Sequence, residues 1–291
     1  MQRALGISHQ GSGDKPFSPI CDPPNIFSPR RLSEKLLHGT RSDPGKWYPK
    51  GISKMAKTVF LHFGVHKTGT TSIQTYLKNE KELFHSFGYH VLGNVNYDAE
   101  YGYSFIKNTN CFQIAHALIR EDLNTIMRIK KSAIRPEISL SREIAAKLNH
   151  TLLDIPQDTV VISSESFSFL RTRQEKSVFD QMFAGLDLFP IGFFRSKSDW
   201  MRSWKSQVDK SGVLEIYDPG TGQDTFDFTE TSWLLDHDDI RRFFGPRGRY
   251  LSYDDAVAQD GSVIPAFLRA LDLDPGAMPP WQDIWQNRSS A

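Results

Sequence analysis

From residue 57 onward, short and nearly continuous apolar runs alternate with longer stretches in which apolar residues recur every three or four positions. "KTVFLHFG" (57–64), "DTVVISSE" (158–165), "FPIGFFRS" (189–196) and "RYLSY" (249–253) are short runs dominated by β-branched or aromatic residues. Runs that are apolar on both faces are what buried parallel strands require. The stretches between them have the helical period. "TTSIQTYLKNEKELFHSFG" carries Ile73, Tyr76, Leu77, Leu83 and Phe84 and stops at Gly88. Further helices are predicted over 111–131, 140–155, 198–212, 231–245 and 263–273, with Ser198 as N-cap and Gly212 just past the end of the fourth of these six. Strand alternating with helix predicts an α/β fold, a three-layer sandwich around a central parallel sheet.

The first 54 residues break this pattern. "DKPFSPICDPPNIFSPRR" and "HGTRSDPGKWYPKG" are crowded with Pro, Gly, Ser and basic residues and hold neither period. The texture changes at "MAKTVFLHFG", where Met55 precedes the first strand. Residues 1–54 are expected to be a disordered leader or a misassigned start, and 55–291 the folded domain.

Composition narrows the function classes. With 39% hydrophobic and 24% charged residues the chain has ordinary globular values. A net charge of +1 gives no general attraction to nucleic acid or anionic membrane, so any cationic function must be a local cluster. Cys21 and Cys111 make neither a disulfide framework nor a metal site. No apolar stretch reaches the roughly 18–20 residues of a membrane span. The expectations are therefore a cytoplasmic location, no metal, no nucleic acid and no membrane span.

Chemistry concentrates in "HFGVHKTGTTSIQ" (62–74), between the first strand and the first helix. Gly64 and Gly69 have phosphate-loop spacing, and a strand–loop–helix unit offers backbone N–H groups and a helix N-terminus to an anion. In nucleotide triphosphatases the loop ends in Gly-Lys-Ser/Thr, the lysine reaching the outer phosphates. Here the second glycine is followed by Thr70, Thr71 and Ser72, and the lysine, Lys67, stands three residues before Thr70.

"HKTGTTSIQ" resembles the 5′-phosphosulfate loop of sulfotransferases that use 3′-phosphoadenosine 5′-phosphosulfate (PAPS), bacterial carbohydrate sulfotransferases among them. The resemblance implies a P-loop NTPase-like fold and PAPS as co-substrate. It implies that Lys67, Thr68, Gly69, Thr70, Thr71 and Ser72 hold the 5′-phosphate, with Lys67 on the oxygen bridging phosphorus and sulfur. That accounts for the displaced lysine, since this donor has no β/γ pair. The family holds the 3′-phosphate with an arginine at a strand end and a serine on the next helix. Arg195 and Ser203 in "FPIGFFRSKSDWMRSW" have that spacing, and Trp200, Trp204 and Val208 would pack the helix down. The likeness covers 57 to about 210. The family's C-terminal Arg-Lys-Gly loop is not found; Arg247 and Gly248 read as a turn.

Sulfuryl transfer to a hydroxyl gains from a general base. Glu165, ending the strand "TVVISSE", is the first candidate, because sites gather at strand C-termini in open α/β sheets. His66, within the loop, is the second; His62 reads as a core histidine, and His116, His150 and His237 as structural. The implied partners are the nucleotide donor and a hydroxyl acceptor, which the sequence does not name beyond a carbohydrate as one option. Two other readings stand beside this one: a P-loop kinase with an atypical loop, and a nucleotide-binding module without turnover.

Overall fold

The computed structural model describes residues 56–97, 102–211, 233–281 and Ile284. The expected leader, 1–54, lies outside them. The chain runs through β1 (Thr58–His62), α1 (Thr70–Asn79), α2 (Lys81–Ser86), β2 (Tyr89–Val91), β3 (Val95–Tyr97), β4 (Tyr103–Phe105), α3 (Phe112–His116), α4 (Ile126–Lys131), α5 (Ile138–Asp154) and β5 (Thr159–Ser163). It continues through α6 (Arg173–Met182), β6 (Asp187–Phe194), α7 (Lys197–Ser211), α8 (His237–Phe244), β7 (Arg249–Ser252), α9 (Tyr253–Asp260) and α10 (Ile264–Ala270).

Five strands form one parallel sheet in the order β2-β5-β1-β6-β7. β3 and β4 form a separate antiparallel pair. Alternate residues of β1 serve opposite faces, as a pleated strand requires. Val59 and Leu61 join a core with Ile114 of α3, Leu148 of α5, Phe179 of α6, Trp204 of α7 and Phe244 of α8. Phe60 joins a second core with Ile73 and Leu77 of α1, Phe84 of α2 and Phe267 of α10. The expected three-layer α/β sandwich with a parallel sheet is therefore what folds. Gly192 of β6 is needed for close approach: a Cβ there would lie 2.3 Å from the Phe63 ring, which stacks on Phe244 at 3.9 Å.

The predicted helix over 111–131 is two helices with irregular chain between them. Buried Arg128 explains the break, because its guanidinium donates to the carbonyls of Ile119, Arg120, Glu121, Leu123 and Ile134. Those carbonyls turn inward onto one cation instead of forming helical bonds, a tertiary solution that local period cannot reveal. The 70–88 stretch likewise divides at Glu80, and 231–245 becomes a short 3₁₀ turn followed by α8, which Asp236 caps. Ser196, not Ser198, caps α7: its hydroxyl bonds the Asp199 carboxylate and accepts from the Asp199 N–H, and the helix begins at Lys197. Tyr253, expected at a strand end, is the first residue of α9, because the Ser252 hydroxyl accepts from Asp255 N–H and starts a helix there. α6 was open to reading, since Thr172 and Glu175 form a capping box spelled out in "TRQE".

Two core histidines make stability depend on pH. Burial pushes the pKa of His62 and of His116 down to about 3, so both are neutral in the native protein. His116 has partners at both ring nitrogens, the Phe112 carbonyl and the Thr125 hydroxyl. Below about 6.5 the unfolded chain takes up protons that the folded chain refuses, so stability falls as pH falls, by about 1.4 kcal/mol per unit for each histidine. Urea unfolding of the protein should show this loss between pH 6.5 and 4, and His116→Gln should have a shallower slope. An equal slope in the variant would remove His116 from the account.

Candidate active site

The sheet register assembles the site. His62, the last residue of β1, is level with Ser163 of β5 on one side and Ile191 of β6 on the other. The phosphate-type loop (63–69) therefore emerges between two strands whose own continuations carry Glu165 and Arg195. β5 ends at Ser163, two residues short of Glu165. β6 runs on to Phe194, so Arg195 projects about 13 Å beyond the level of His62 at ~3.3 Å per residue. The three sequence-predicted centres thus stand at the C-terminal ends of three adjacent parallel strands, where open α/β sheets form their clefts.

The loop is built for close backbone approach. Lys67 has φ 69° and Gly69 φ 78°, both left-handed. That conformation is free for glycine and strained for lysine, and such strain persists where the surroundings impose it. A Cβ on Gly69 would meet Val263 at 2.7 Å and Tyr253 at 3.6 Å. No side chain caps α1; its Ser72 and Ile73 N–H groups donate to the Gly69 carbonyl at 3.0 and 3.2 Å, and the helix start faces the loop. Thr68 is fully buried and its hydroxyl donates to the Val65 carbonyl at 2.5 Å, so this side chain braces the loop from within. Thr70 is buried with its hydroxyl oxygen unpartnered among the described residues, Thr71 is exposed and Ser72 half-exposed. Gly64 keeps a gap among three polar atoms, since a Cβ there would lie 2.9 Å from the Thr68 hydroxyl and 3.1 Å from His62 Nε2. His62 itself is a core residue, with Nδ1 2.8 Å from the Ser163 hydroxyl, as expected.

Glu165 opens a 3₁₀ turn (Glu165–Phe169) after β5, with Ser164 as N-cap. Its carboxylate accepts from Gln74 Nε2 at 3.0 Å and from Asn110 Nδ2 at 3.3 and 3.4 Å. Gln74 lies on α1, the helix that continues the loop, and its carbonyl accepts from the Thr109 hydroxyl at 2.7 Å. The Ser164 hydroxyl donates to Asn110 Oδ1 at 2.9 Å. These amides fix the carboxylate relative to the loop. No pattern in the sequence marks Asn110 for that work, because its closeness to Glu165 comes from α3 packing on the 3₁₀ turn.

His66 sits between aromatic rings, Phe169 at 5.1 Å and Trp204 of α7 at 5.3 Å. Its Nε2 is enclosed without a hydrogen-bond partner among the described residues. Burial holds its pKa below the ordinary histidine value; the Glu165 carboxylate pushes it back up and the Lys67 ammonium pushes it down. His66 therefore feels both the Glu165 carboxylate and the Lys67 ammonium, with opposite sign.

Arg195 has its guanidinium over the Tyr253 ring at 4.9 Å, and its Nε lies 3.6 Å from Asp254 Oδ1. The other Asp254 oxygen accepts from the Ser196 N–H at 3.2 Å. Ser203 is half-buried, the seventh residue of α7, about two turns in from Arg195. Trp200 and Trp204 are buried and stacked at 5.4 Å, packing α7 down as predicted, whereas the Val208 side chain lies outside the described residues. Tyr253 and Asp254 were missed in the sequence, although the strand-end rule that selected Glu165 applies equally to the end of β7. Among the described residues no group of three His, Cys, Asp or Glu side chains could hold a metal ion, and no helix is long and apolar enough to cross a membrane.

No family model matches the chain, and no curated protein matches it either. Among solved structures it is similar to a sulfotransferase from Alicyclobacillus acidocaldarius, at 13% identity and a TM-score of 0.45 over 80% of this chain and 87% of the other. It is also similar to the sulfotransferase domain from the curacin biosynthetic pathway, at 14% identity and a TM-score of 0.39 over 81% and 80%.

The electrostatic contact of the three residues has a direct readout. Glu165→Gln removes the group that raises the His66 pKa and should lower that pKa further, whereas Lys67→Ala should raise it. An NMR titration of the His66 ring protons checks both; shifts of the same sign in the two variants would refute the arrangement.

Proposed function

We propose that this protein transfers a sulfuryl group from PAPS to a hydroxyl acceptor. The observation that carries the reading is the convergence of three groups at adjacent strand ends: a strained, glycine-shaped loop holding Lys67, a carboxylate positioned by two amides, and an arginine one strand away. The Tyr253 ring lies under the Arg195 guanidinium at 4.9 Å, and its edge is 3.6 Å from where a Cβ on Gly69 of the loop would stand. A nucleotide with a group on its 5′-phosphate and a second phosphate at the 3′-position would span such a pair of anion sites.

In this reading the loop N–H groups and the hydroxyls of Thr70, Thr71 and Ser72 hold the 5′-phosphate. Arg195 and Ser203 hold the 3′-phosphate. The acceptor oxygen attacks sulfur as the bond from sulfur to the bridging oxygen breaks, and the electron pair leaves on the 5′-phosphate of adenosine 3′,5′-bisphosphate. Lys67 stabilises the charge that develops on that oxygen. The acceptor's proton goes to Glu165, which Gln74 and Asn110 keep in register with the loop. His66, neutral and with an unpartnered Nε2, is the alternative proton acceptor.

Thermal denaturation tests the donor site without knowledge of the acceptor. Adenosine 3′,5′-bisphosphate should raise the melting temperature with or without EDTA, since a ligand at a hundredfold excess over its Kd adds about 2.7 kcal/mol. The shift with 5′-AMP should be small, and a larger shift with ATP·Mg²⁺ than with the bisphosphate would replace this reading by the kinase one. Once an acceptor panel with ³⁵S-labelled PAPS gives turnover, Lys67→Ala should lower kcat by about 10²–10³. Arg195→Ala should act mainly on donor affinity. Glu165→Gln should lower kcat by about 10²–10⁴ while still binding nucleotide; wild-type turnover in it would assign the proton to His66.

A further inference from the structure

The contact between Arg195 and the start of α9 carries a consequence for donor choice, and it rests on the reading of Arg195 as the 3′-phosphate ligand. β6 and β7 are in register at Phe194 and Ser252, so the residues that follow, Arg195 and Tyr253-Asp254, leave the sheet side by side. Tyr253 lies beneath the guanidinium at 4.9 Å, and its ring edge is 3.6 Å from where a Cβ on Gly69 would stand. Asp254 is close enough to Arg195 to neutralise it and too far to bond it: Nε to Oδ1 is 3.6 Å, and the enclosed Nε has no hydrogen-bond acceptor among the described residues. The same carboxylate occupies the Ser196 N–H at 3.2 Å. Two donors, a guanidinium N–H and a backbone N–H, thus converge on one half-exposed carboxylate.

We propose that Asp254 is a resident counter-ion that the donor's 3′-phosphate displaces, and that Tyr253 is the plate holding Arg195 ready for it. Both are positioning residues that set specificity for a 3′-phosphorylated nucleotide. A phosphate brings more charge and an additional oxygen, so it can take the Arg195 Nε–H and the Ser196 N–H at hydrogen-bond distance where the carboxylate spans them poorly. Half-exposed ion pairs are weak, so the pair yields to a dianion at little cost. A nucleotide without the 3′-phosphate leaves the pair closed and gains nothing from either donor. Asp254 therefore lowers affinity for the true ligand slightly while giving competing nucleotides no cation to bind.

Isothermal titration of adenosine 3′,5′-bisphosphate and 5′-AMP against the full chain and four variants tests this. Asp254→Asn should tighten the bisphosphate by about 2–5-fold and leave 5′-AMP unchanged. Asp254→Ala, which adds no donor of its own, should tighten it likewise. Tyr253→Leu should weaken the bisphosphate by about 3–10-fold with 5′-AMP unchanged, and Tyr253→Phe should restore wild-type affinity. If the wild-type protein prefers the bisphosphate yet both Asp254 variants bind it equally or more weakly, the counter-ion proposal alone is overturned. Parallel losses for both nucleotides in Tyr253→Leu would overturn the role given to Tyr253. If the wild-type protein does not prefer the bisphosphate to 5′-AMP, the assignment of Arg195 falls, and this proposal with it.

Discussion

The parallel pairing of β1 between β5 and β6 is the constraint on which the site depends. Backbone hydrogen bonds on both edges fix β1 in depth and direction, and His62 stands level with Ser163 and Ile191. A slip of one residue would exchange the faces of Phe60 and Leu61 and empty both cores. Because slippage is so costly, the loop after β1, the carboxylate after β5 and the guanidinium after β6 are held at fixed heights by the sheet itself.

What the sheet fixes coarsely, polar side chains fix finely. Gln74 ties α1 to Glu165, Asn110 ties the same carboxylate to the segment before α3, and Tyr253 ties Arg195 to the start of α9. Each is a single contact of modest strength, yet each joins two elements already immobilised by packing, so little conformational entropy remains to oppose it. The left-handed Lys67 belongs to the same economy: a strained residue between an anchored strand and an anchored helix cannot relax without disturbing both.

Electrostatics inside the site follow from burial. His66 lies between two aromatic rings, where a charged imidazole would lose its hydration, and only the nearby carboxylate opposes that cost. The buried cation Arg128 meets the opposite solution, with five carbonyls in place of a counter-ion. That knot shapes the irregular chain between α3 and α4, next to the segment that supplies Asn110.

The sequence by itself determined the alternation of strand and helix, the loop with its displaced lysine, and the strand-end residues Glu165 and Arg195. These are legible because each depends on neighbours within a few positions: a period, a glycine spacing, the end of an apolar run. The same local logic failed where distant residues decided. The helix expected over 111–131 gave way to Arg128, whose carbonyl partners reach from Ile119 to Ile134. β2 is too short to declare itself and exists because β5 offers an edge to pair with. Tyr253 and Asp254 became part of the site only through the register of β7 on β6, which no spacing along the chain encodes. Chain-local geometry sets which chemistry is present; long-range pairing and packing set which groups meet, because their partners lie tens of residues away and are chosen by the fold as a whole.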